Sequence, residues 1–340
     1  MDRIKKSLLL YIILIASLVL VACDIDTSTI EENYENKLVV HFIDVGQGDS
    51  TLIEFPNGET SLIDGGTRKS GEKVVKYLKE QNIKKIDYLI ATHPHEDHIG
   101  GLPEVIRKYD IGKVYMPDRT ANTRIFEELL EEIQAKGLKI NLAKAGDIIL
   151  DKGNLKYTVL APKGDYENTN YSIVTKAEYK NNSFIITGDA EKESEQEMLN
   201  GNFNLKANVL RVGHHGSSTS SIDEFIDAVN PEYFVISLGK DNTYGHPHKE
   251  VISKLEKAKG EILRTDELGD IVLLSDGQEV KQISKLRKDN NKSYYIGNKN
   301  TKVVHTKDCG NLPNEENQII FNSLEEAIKS GYKPHEKCIK

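Results

Sequence analysis

The chain has 340 residues and carries 45 Lys+Arg against 53 Asp+Glu, a net charge of −8. Apolar residues make up 38%, Trp is absent and Cys number three. Charges interspersed with apolar runs exclude wholesale disorder, and three Cys exclude a disulfide-dense scaffold. The acidic balance argues against wrapping nucleic acid by bulk charge. The length suits one large domain, or one large and one small.

The first residues read as an address. Arg3, Lys5 and Lys6 precede an uncharged, mostly apolar stretch from Ser7 to Ala22, which ends at Cys23. A basic start and a short apolar core make a secretory signal over residues 1–22. The run falls short of the ~20 residues a helix needs to span a bilayer. Leu20-Val21-Ala22-Cys23 resembles a bacterial lipobox, which implies cleavage before Cys23 and acylation of its thiol. The alternatives are an uncleaved anchor or an incidental Cys. Either way the body is expected outside the cytoplasm, at the membrane surface, with residues 23–37 as a polar, acidic tether. Charge is then unevenly shared. Residues 287–340 hold ten basic and seven acidic residues, while 23–286 carries −13.

Strands are predicted at Leu38–Val45, Thr51–Phe55, Ser61–Ile63, Tyr88–Ala91, Lys113–Met116, Tyr157–Leu160, Ser183–Thr187, Asn208–Val212, Tyr233–Leu238 and Ile271–Leu274, from their short Val/Ile/Leu/Phe-rich runs. Helical patterns lie at Lys73–Glu80, Asn122–Lys136, Ala190–Leu199, Ser221–Val229 and Pro247–Lys257, the second stopped by Gly137. Early strands read as hairpin pairs turning at Asn57-Gly58 and Gly65-Gly66. The layered expectation is sheets inside and helices outside. A polar, basic run around 285–293 marks a domain boundary, with 287–293 as linker. A small unit follows at 294–340, its helix opened by Ser323-x-x-Glu326 and closed by Gly331.

The chemistry concentrates in loops. Thr92-His93-Pro94-His95-Glu96-Asp97-His98-Ile99-Gly100-Gly101 directly follows a predicted strand. His93, His95, Asp97 and His98 lie within six residues, and mixed imidazole and carboxylate suits Zn²⁺, Mn²⁺ or Fe. Ligands crowded into one loop surround a common point. Asp97 and His98 project differently from His93 and His95, so the loop can serve two neighbouring metals.

This HxHxDH loop, with the preceding Leu62-Ile63-Asp64-Gly65-Gly66, resembles the metallo-β-lactamase superfamily. The resemblance implies an αββα sandwich with its metal site at one edge, between two sheets. Thr187-Gly188-Asp189 matches the family's bridging Asp, and Gly213-His214-His215-Gly216-Ser217 its late His motif, followed by Tyr244-Gly245-His246-Pro247. Phe42-Ile43-Asp44-Val45-Gly46-Gln47-Gly48-Asp49-Ser50 resembles the opening of the soluble domain of ComEC-type competence proteins, which share the HHGS and YGHP elements. The likeness spans about Leu38 to Ser284, so 38–286 is the expected hydrolase domain.

One element departs from the wider superfamily. No His lies between His98 and His214. Asn168-Thr169-Asn170-Tyr171-Ser172 stands there, and ComEC-like relatives tend to have Asn too. An amide oxygen is a weaker, harder ligand, so the His93/His95 site is expected to bind loosely or prefer Mn²⁺ to Zn²⁺.

By analogy, His93, His95 and Asp189, with Asn170, hold one metal. Asp97, His98, Asp189 and one of His214/His215 hold the other, with His215 favoured as ligand and His214 facing substrate. Asp64 is expected to orient a ligand His by a hydrogen bond. Asp97, His214 and His246 are the residues expected nearest the reaction. His246 is a candidate proton donor or phosphate contact, or else a turn residue before a helix. Gln47 and Asp49 either position loops or touch substrate. Two divalent ions would generate a nucleophilic water and clamp the attacking and leaving oxygens. No separate nucleophile motif is legible, and Ser217 reads as structural.

In the small unit, His305-x3-Cys309 and His335-x2-Cys338 suit one closed, structural Zn²⁺. With Tyr294-Tyr295-Ile296-Gly297-Asn298-Lys299-Asn300 and Gly331-Tyr332-Lys333-Pro334, the unit resembles the Ada-type metal-binding domain, although that domain usually has Cys where His335 stands. The competing reading is two free or mutually paired thiols.

Three functions compete. The first is a secreted, lipid-anchored dinuclear metallohydrolase cleaving phosphodiesters, with extracellular DNA as substrate; its partners are the membrane, through Cys23, and DNA or an anionic cell-wall polymer. The second keeps the enzyme but acts on a small ester, or on a phosphodiester substituent of wall polymer. The third is a non-catalytic surface-binding protein.

Overall fold

The computed structural model describes Tyr34 and residues 36–164, 169–283, 295–306, 309–314, 317–321 and 324–339. The signal stretch, Cys23, nearly all of the tether, the linker at 287–293, Asn168 and Ser323 lie outside the described residues, as does the side chain of Asn170. Among the described residues no helix is long and apolar enough to cross a membrane.

Two sheets lie face to face. The first has eight strands, with Leu38–Phe42, Thr51–Glu54, Thr60–Ile63, Lys85–Ile90, Asp110–Met116 and Ile140–Leu142 in sequence order. Ile271–Ser275 and Val280–Ile283 return to pair beside its first strand. The second has seven: Ile148–Lys152, Leu155–Ala161, Val174–Tyr179, Asn182–Ile186, Val209–Arg211, Tyr233–Ile236 and Glu261–Arg264.

Alternation of side chains along the strands gives each sheet two apolar faces. Val40, Phe42, Ile53 and Ile90 of the first sheet pack with Tyr157, Phe184, Ile186 and Val235 of the second in one inner core. The outer face of the first sheet is covered by helices Gly71–Glu80, Leu102–Lys108 and Arg124–Ala135, through Val74, Leu78, Val105 and Leu129. The outer face of the second is covered by Lys192–Leu199, Asp223–Val229 and Lys249–Ala258, through Met198, Phe225 and Val251. The layering is therefore the expected αββα sandwich.

The turn at Asn57-Gly58 makes the predicted hairpin, between antiparallel strands Thr51–Glu54 and Thr60–Ile63. Gly65-Gly66 does not. After it the chain enters the Gly71–Glu80 helix and returns as Lys85–Ile90, parallel to Thr60–Ile63. The pair is spent on close packing: Gly65 N–H donates to His98 O, and Gly101 N–H to Gly66 O. A Cβ on Gly101 would lie 2.1 Å from the Gly65 carbonyl oxygen.

Parallel pairing decides where the loops meet. Thr60–Ile63 and Lys85–Ile90 run parallel in one sheet, and Asn182–Ile186, Val209–Arg211 and Tyr233–Ile236 run parallel in the other. Parallel neighbours present their C-terminal ends on one edge. Asp64, the 92–98 loop, Asp189, the 213–216 turn and the 237–246 loop leave from those ends.

The small C-terminal sheet orders Gln318–Phe321, Tyr295–Asn298, Val303–Thr306 and Lys333–Pro334. Its apolar core holds Val304, Phe321, Ala327 and Tyr332.

One buried acid braces the loop that follows the 213–216 turn. Glu195 accepts backbone N–H bonds from Ser221 at 2.7 Å and Ile222 at 2.9 Å, just before the Asp223–Val229 helix. Burial nevertheless pushes its carboxyl up from the ordinary 4.5 to about 7. The folded chain therefore keeps a proton there that the unfolded chain has lost, and stability falls as pH rises through that interval. Thermal unfolding midpoints should decline between about pH 4.5 and 7, and Glu195→Gln should flatten that slope.

Candidate metal centre

Asp64 is the hub behind the centre. It is fully buried with φ +58°, a left-handed conformation that Asp tolerates better than most residues. One carboxylate oxygen accepts the Thr92 backbone N–H at 2.8 Å. The other accepts the Thr92 hydroxyl at 2.6 Å and the Nδ1–H of His98 at 2.8 Å. Thr92 Oγ1 in turn lies 3.1 Å from His93 Nδ1. Asp64 thus orients His98 directly and His93 through Thr92. Both rings are left with Nε2 pointing away from the hub.

Asp189 receives them. Its Oδ2 lies 3.2 Å from His98 Nε2, 3.6 Å from His93 Nε2 and 3.7 Å from His214 Nε2. Its Oδ1 lies 3.6 Å from His215 Nε2. His215 donates Nδ1–H to the Ser237 carbonyl at 2.8 Å, and its Nε2 reaches within 3.3 Å of Asp97 Oδ2. Asp97 also approaches His98 Nε2, at 3.9 Å. His93, His95 and Asp189 form one group whose ligand atoms lie within 4.8 Å of one another, and His98, Asp189 and His215 belong to a second. Asp189 belongs to both.

The two late histidines adopt left-handed backbone, His214 at φ 47° and His215 at φ 53°. Adjacent residues in this region cost of order 1–3 kcal/mol each, and the strain sits where two neighbouring rings must both face one point. His215 is buried, whereas His214 is more open and bound through Nδ1 to Glu191 at 3.0 Å. His246 stands beside both, its ring centroid 5.9 Å from His214 and 6.4 Å from His215.

The donor set fits metal cations. Nε2 of His93, His98 and His215 and Oδ1 of Asp189 are buried and make no hydrogen bond. Orphaned buried polar atoms are costly, and four gathered around Asp189 in two groups point to a partner that the protein itself does not supply. That partner is positive. Asp49, Asp64 and Asp189 are all buried there, beside the buried guanidinium of Arg211. Although burial opposes it, the Asp189, Asp64 and Asp97 carboxylates hold His98 well above the ordinary imidazole range. Burial works against the Asp189 carboxylate too, yet His98, His215 and His93 hold it well below the ordinary range. Burial, reinforced by His98, pushes His93 well down, as a neutral ligand requires. Burial with His215, His214 and His248 lowers His246 to about 4. Its ring is neutral at pH 7, which suits a substrate contact better than a proton donor.

Arg211 escapes sequence reading. It is 1% exposed, forms an ion pair with Asp49 and donates to the Gly188 carbonyl. Asp49 offers an oxygen near the centre, but it faces His98 Nδ1 at 3.7 Å and is held by Arg211. It therefore braces the histidine from behind, while Asp97 stands on the Nε2 side. Gly48 allows this approach: a Cβ there would lie 2.3 Å from the Asp97 carbonyl oxygen. Gln47 accepts the Gly239 N–H at 3.1 Å and so ties two loops together. The available signal for Arg211 is a cation inside an otherwise apolar Val209-Leu210-Arg211-Val212 strand.

In the small unit His305, Cys309, His335 and Cys338 converge, and neither of those thiols is in a disulfide. Nδ1 of His305 lies 3.4 Å from Cys309 Sγ, and Nδ1 of His335 lies 3.5 Å and 3.3 Å from Cys309 and Cys338 Sγ. Zn–S bonds of about 2.3 Å and Zn–N bonds of about 2.0–2.1 Å at tetrahedral angles give edges of roughly 3.5 Å. Burial raises the Cys309 thiol. At Cys338 burial works upward too, but hydrogen bonds, the Cys309 thiol foremost, bring it down to about 7.

Comparison with known proteins agrees with this geometry. Residues 43–240 match the metallo-beta-lactamase superfamily, and residues 279–339 match the metal binding domain of Ada. The chain belongs to the metallo-beta-lactamase superfamily and carries an Ada-type zinc-binding domain at its C-terminal end. It is 36% identical over 251 residues to ComE operon protein 3 of Bacillus subtilis, covering 68% of this chain and 32% of that protein. It is 29% identical over 237 residues to competence protein ComA of Neisseria gonorrhoeae, covering 68% and 31%. The chain thus spans about a third of the length of these relatives. A shorter match, 42% over 60 residues, is to ribonuclease J of Mycoplasma genitalium, 18% of this chain and 10% of that protein. It is a metallohydrolase related to competence proteins, with a His/Asp site for a dinuclear centre.

Arg211→Ala strands the Asp49 carboxylate in the interior. Breaking a buried ion pair from one side costs about 3–5 kcal/mol, which urea denaturation should register. Cys338→Ser should remove one metal equivalent from the small unit and leave the sandwich's metals in place, as elemental analysis of the purified chain would show.

Proposed function

We propose that this chain is a phosphodiesterase acting on nucleic acid outside the cell, held at the membrane by a lipid on Cys23. The observation carrying the reading is the convergence of orphaned His93, His98 and His215 nitrogens on Asp189, with two further imidazoles at the rim. Paired divalent cations, when bound, ionise water near pH 7 and offset charge on phosphoryl oxygens. The protein's own residues supply the rest. Asp64, Thr92 and Arg211 keep the ligand set rigid, so little reorganisation is needed during reaction.

At the rim, Glu191 accepts the His214 Nδ1–H and fixes the ring's orientation, so that Nε2 is the atom left to exchange a hydrogen bond or a proton with substrate. His246, neutral at pH 7, can donate a hydrogen bond to a phosphate oxygen. The ribonuclease among the relatives is consistent with a phosphodiester substrate. The charge of −13 over 23–286 favours a second reading, a small ester or a phosphodiester substituent on wall polymer, because such a body steers long polyanions poorly.

The test is turnover of single-stranded DNA and of bis(p-nitrophenyl) phosphate by the detergent-solubilised chain in Mn²⁺ or Zn²⁺. Both should be cleaved. Asp189→Ala should lower the rate ~10³-fold or more and reduce the metal content, because it removes the group common to both clusters. Cleavage of the small diester without DNA would favour the second reading. Fully loaded protein that turns over no ester would leave only a binding role.

A further inference from the structure

We propose that Tyr244 is a stacking platform for an unpaired nucleobase beside the scissile phosphate, so that the site selects single-stranded over duplex nucleic acid. This rests on the phosphodiesterase reading and names the form of its substrate.

Tyr244 is 65% exposed, and the other exposed large apolar side chains among the described residues are Ile and Leu. Its ring stacks on His246 at 5.7 Å between centroids and 22° between planes. His246 stacks in turn on His215, at 6.4 Å and 28°. Three rings of similar orientation thus lead from solvent to His215, whose orphaned Nε2 faces the centre. These two steps put the outer end of the ladder within reach of a base one or two nucleotides from a phosphate held at the centre.

The platform is held before anything binds. The side chain of Asn242 donates to the carbonyls of Gly239 at 3.2 Å and His246 at 2.7 Å, and accepts the His246 N–H at 3.0 Å. Gln47 pins the start of the same loop at Gly239. A ring held in place on a stapled loop loses little freedom when a ligand stacks on it.

Stacking also suits the charge. A body of −13 gains little from long-range attraction to a polyanion, whereas a π-face acts at contact and accepts any base. Bases in a duplex have their faces covered by neighbours, so only an unpaired base can be received.

The chain has no Trp, so Tyr244→Trp in the full-length, metal-loaded protein introduces a sole indole at this position. Phosphorothioate-linked oligothymidylate should quench it, and an abasic phosphorothioate chain of equal length should not. In kinetics on ordinary oligomers, the kcat/KM ratio of base-bearing to abasic single strands should be about tenfold or more. Tyr244→Ala should bring that ratio close to one, mainly through KM, and Tyr244→Phe should keep it.

Equal quenching by both chains, or a ratio that Tyr244→Ala leaves within about twofold, overturns the proposal. The two readings fail separately. Base-dependent quenching without cleavage of any diester removes the phosphodiesterase and keeps the platform. Equal cleavage of abasic and base-bearing chains removes the platform and keeps the phosphodiesterase.

Discussion

The architecture around the centre depends on negative charge buried at the edge of a sandwich. Asp49, Asp64 and Asp189 have little access to water, and burial of a carboxylate is tolerated only when it is paired or bound to a cation. Each is paired differently. Asp49 takes Arg211, and Asp64 takes Thr92 and His98. Asp189 faces four imidazoles, with ligand atoms on two sides. The Asp64 arrangement is complete within the protein, and the Asp49 charge is balanced by Arg211. The third leaves lone pairs aimed at shared points, and so defines where metal belongs.

Rigidity at that point comes from the two sheets. Their parallel strands open on the same edge, so each ligand leaves a strand that is hydrogen-bonded on both sides. The hub at Asp64 reaches His93 and His98 without any flexible intermediary. The rim differs. His214, His246 and Tyr244 stand on turns and loops and are less buried, and Tyr244 is largely open to solvent. A fixed interior with a more open rim matches the division between holding metal and receiving a substrate of variable shape.

The C-terminal unit solves a different problem. Its core has few large side chains, and a unit of this size rarely folds on hydrophobic burial alone. Four ligands from well-separated positions closing on one ion supply the missing cross-link. His335 substitutes a nitrogen for the sulfur usual in Ada-type domains, and the observed nitrogen–sulfur spacing remains that of a tetrahedral site.

Local patterns in the chain already carried much of this. The 92–101 loop crowds its ligands so closely that no fold is needed to see them meet. The runs around Leu38, Tyr233 and Ile271 are apolar enough to be strands in any context. Strands such as Val174–Tyr179, with Lys176 and Glu178 along it, or Ile140–Leu142, exposed at a sheet edge, lack that signal because long-range pairing makes them. Gly65-Gly66 looks the same whether the chain turns back or enters a helix, and only packing against Gly101 distinguishes them. The sequence by itself therefore determined the ligand types and the order of the motifs, which rest on residue chemistry, and its resemblance to a known family implied the sandwich class. Tertiary structure alone decided that Arg211 meets Asp49 and that Tyr244 extends a ladder of rings. Those are distances between remote segments, set by sheet register and not by neighbours in the chain.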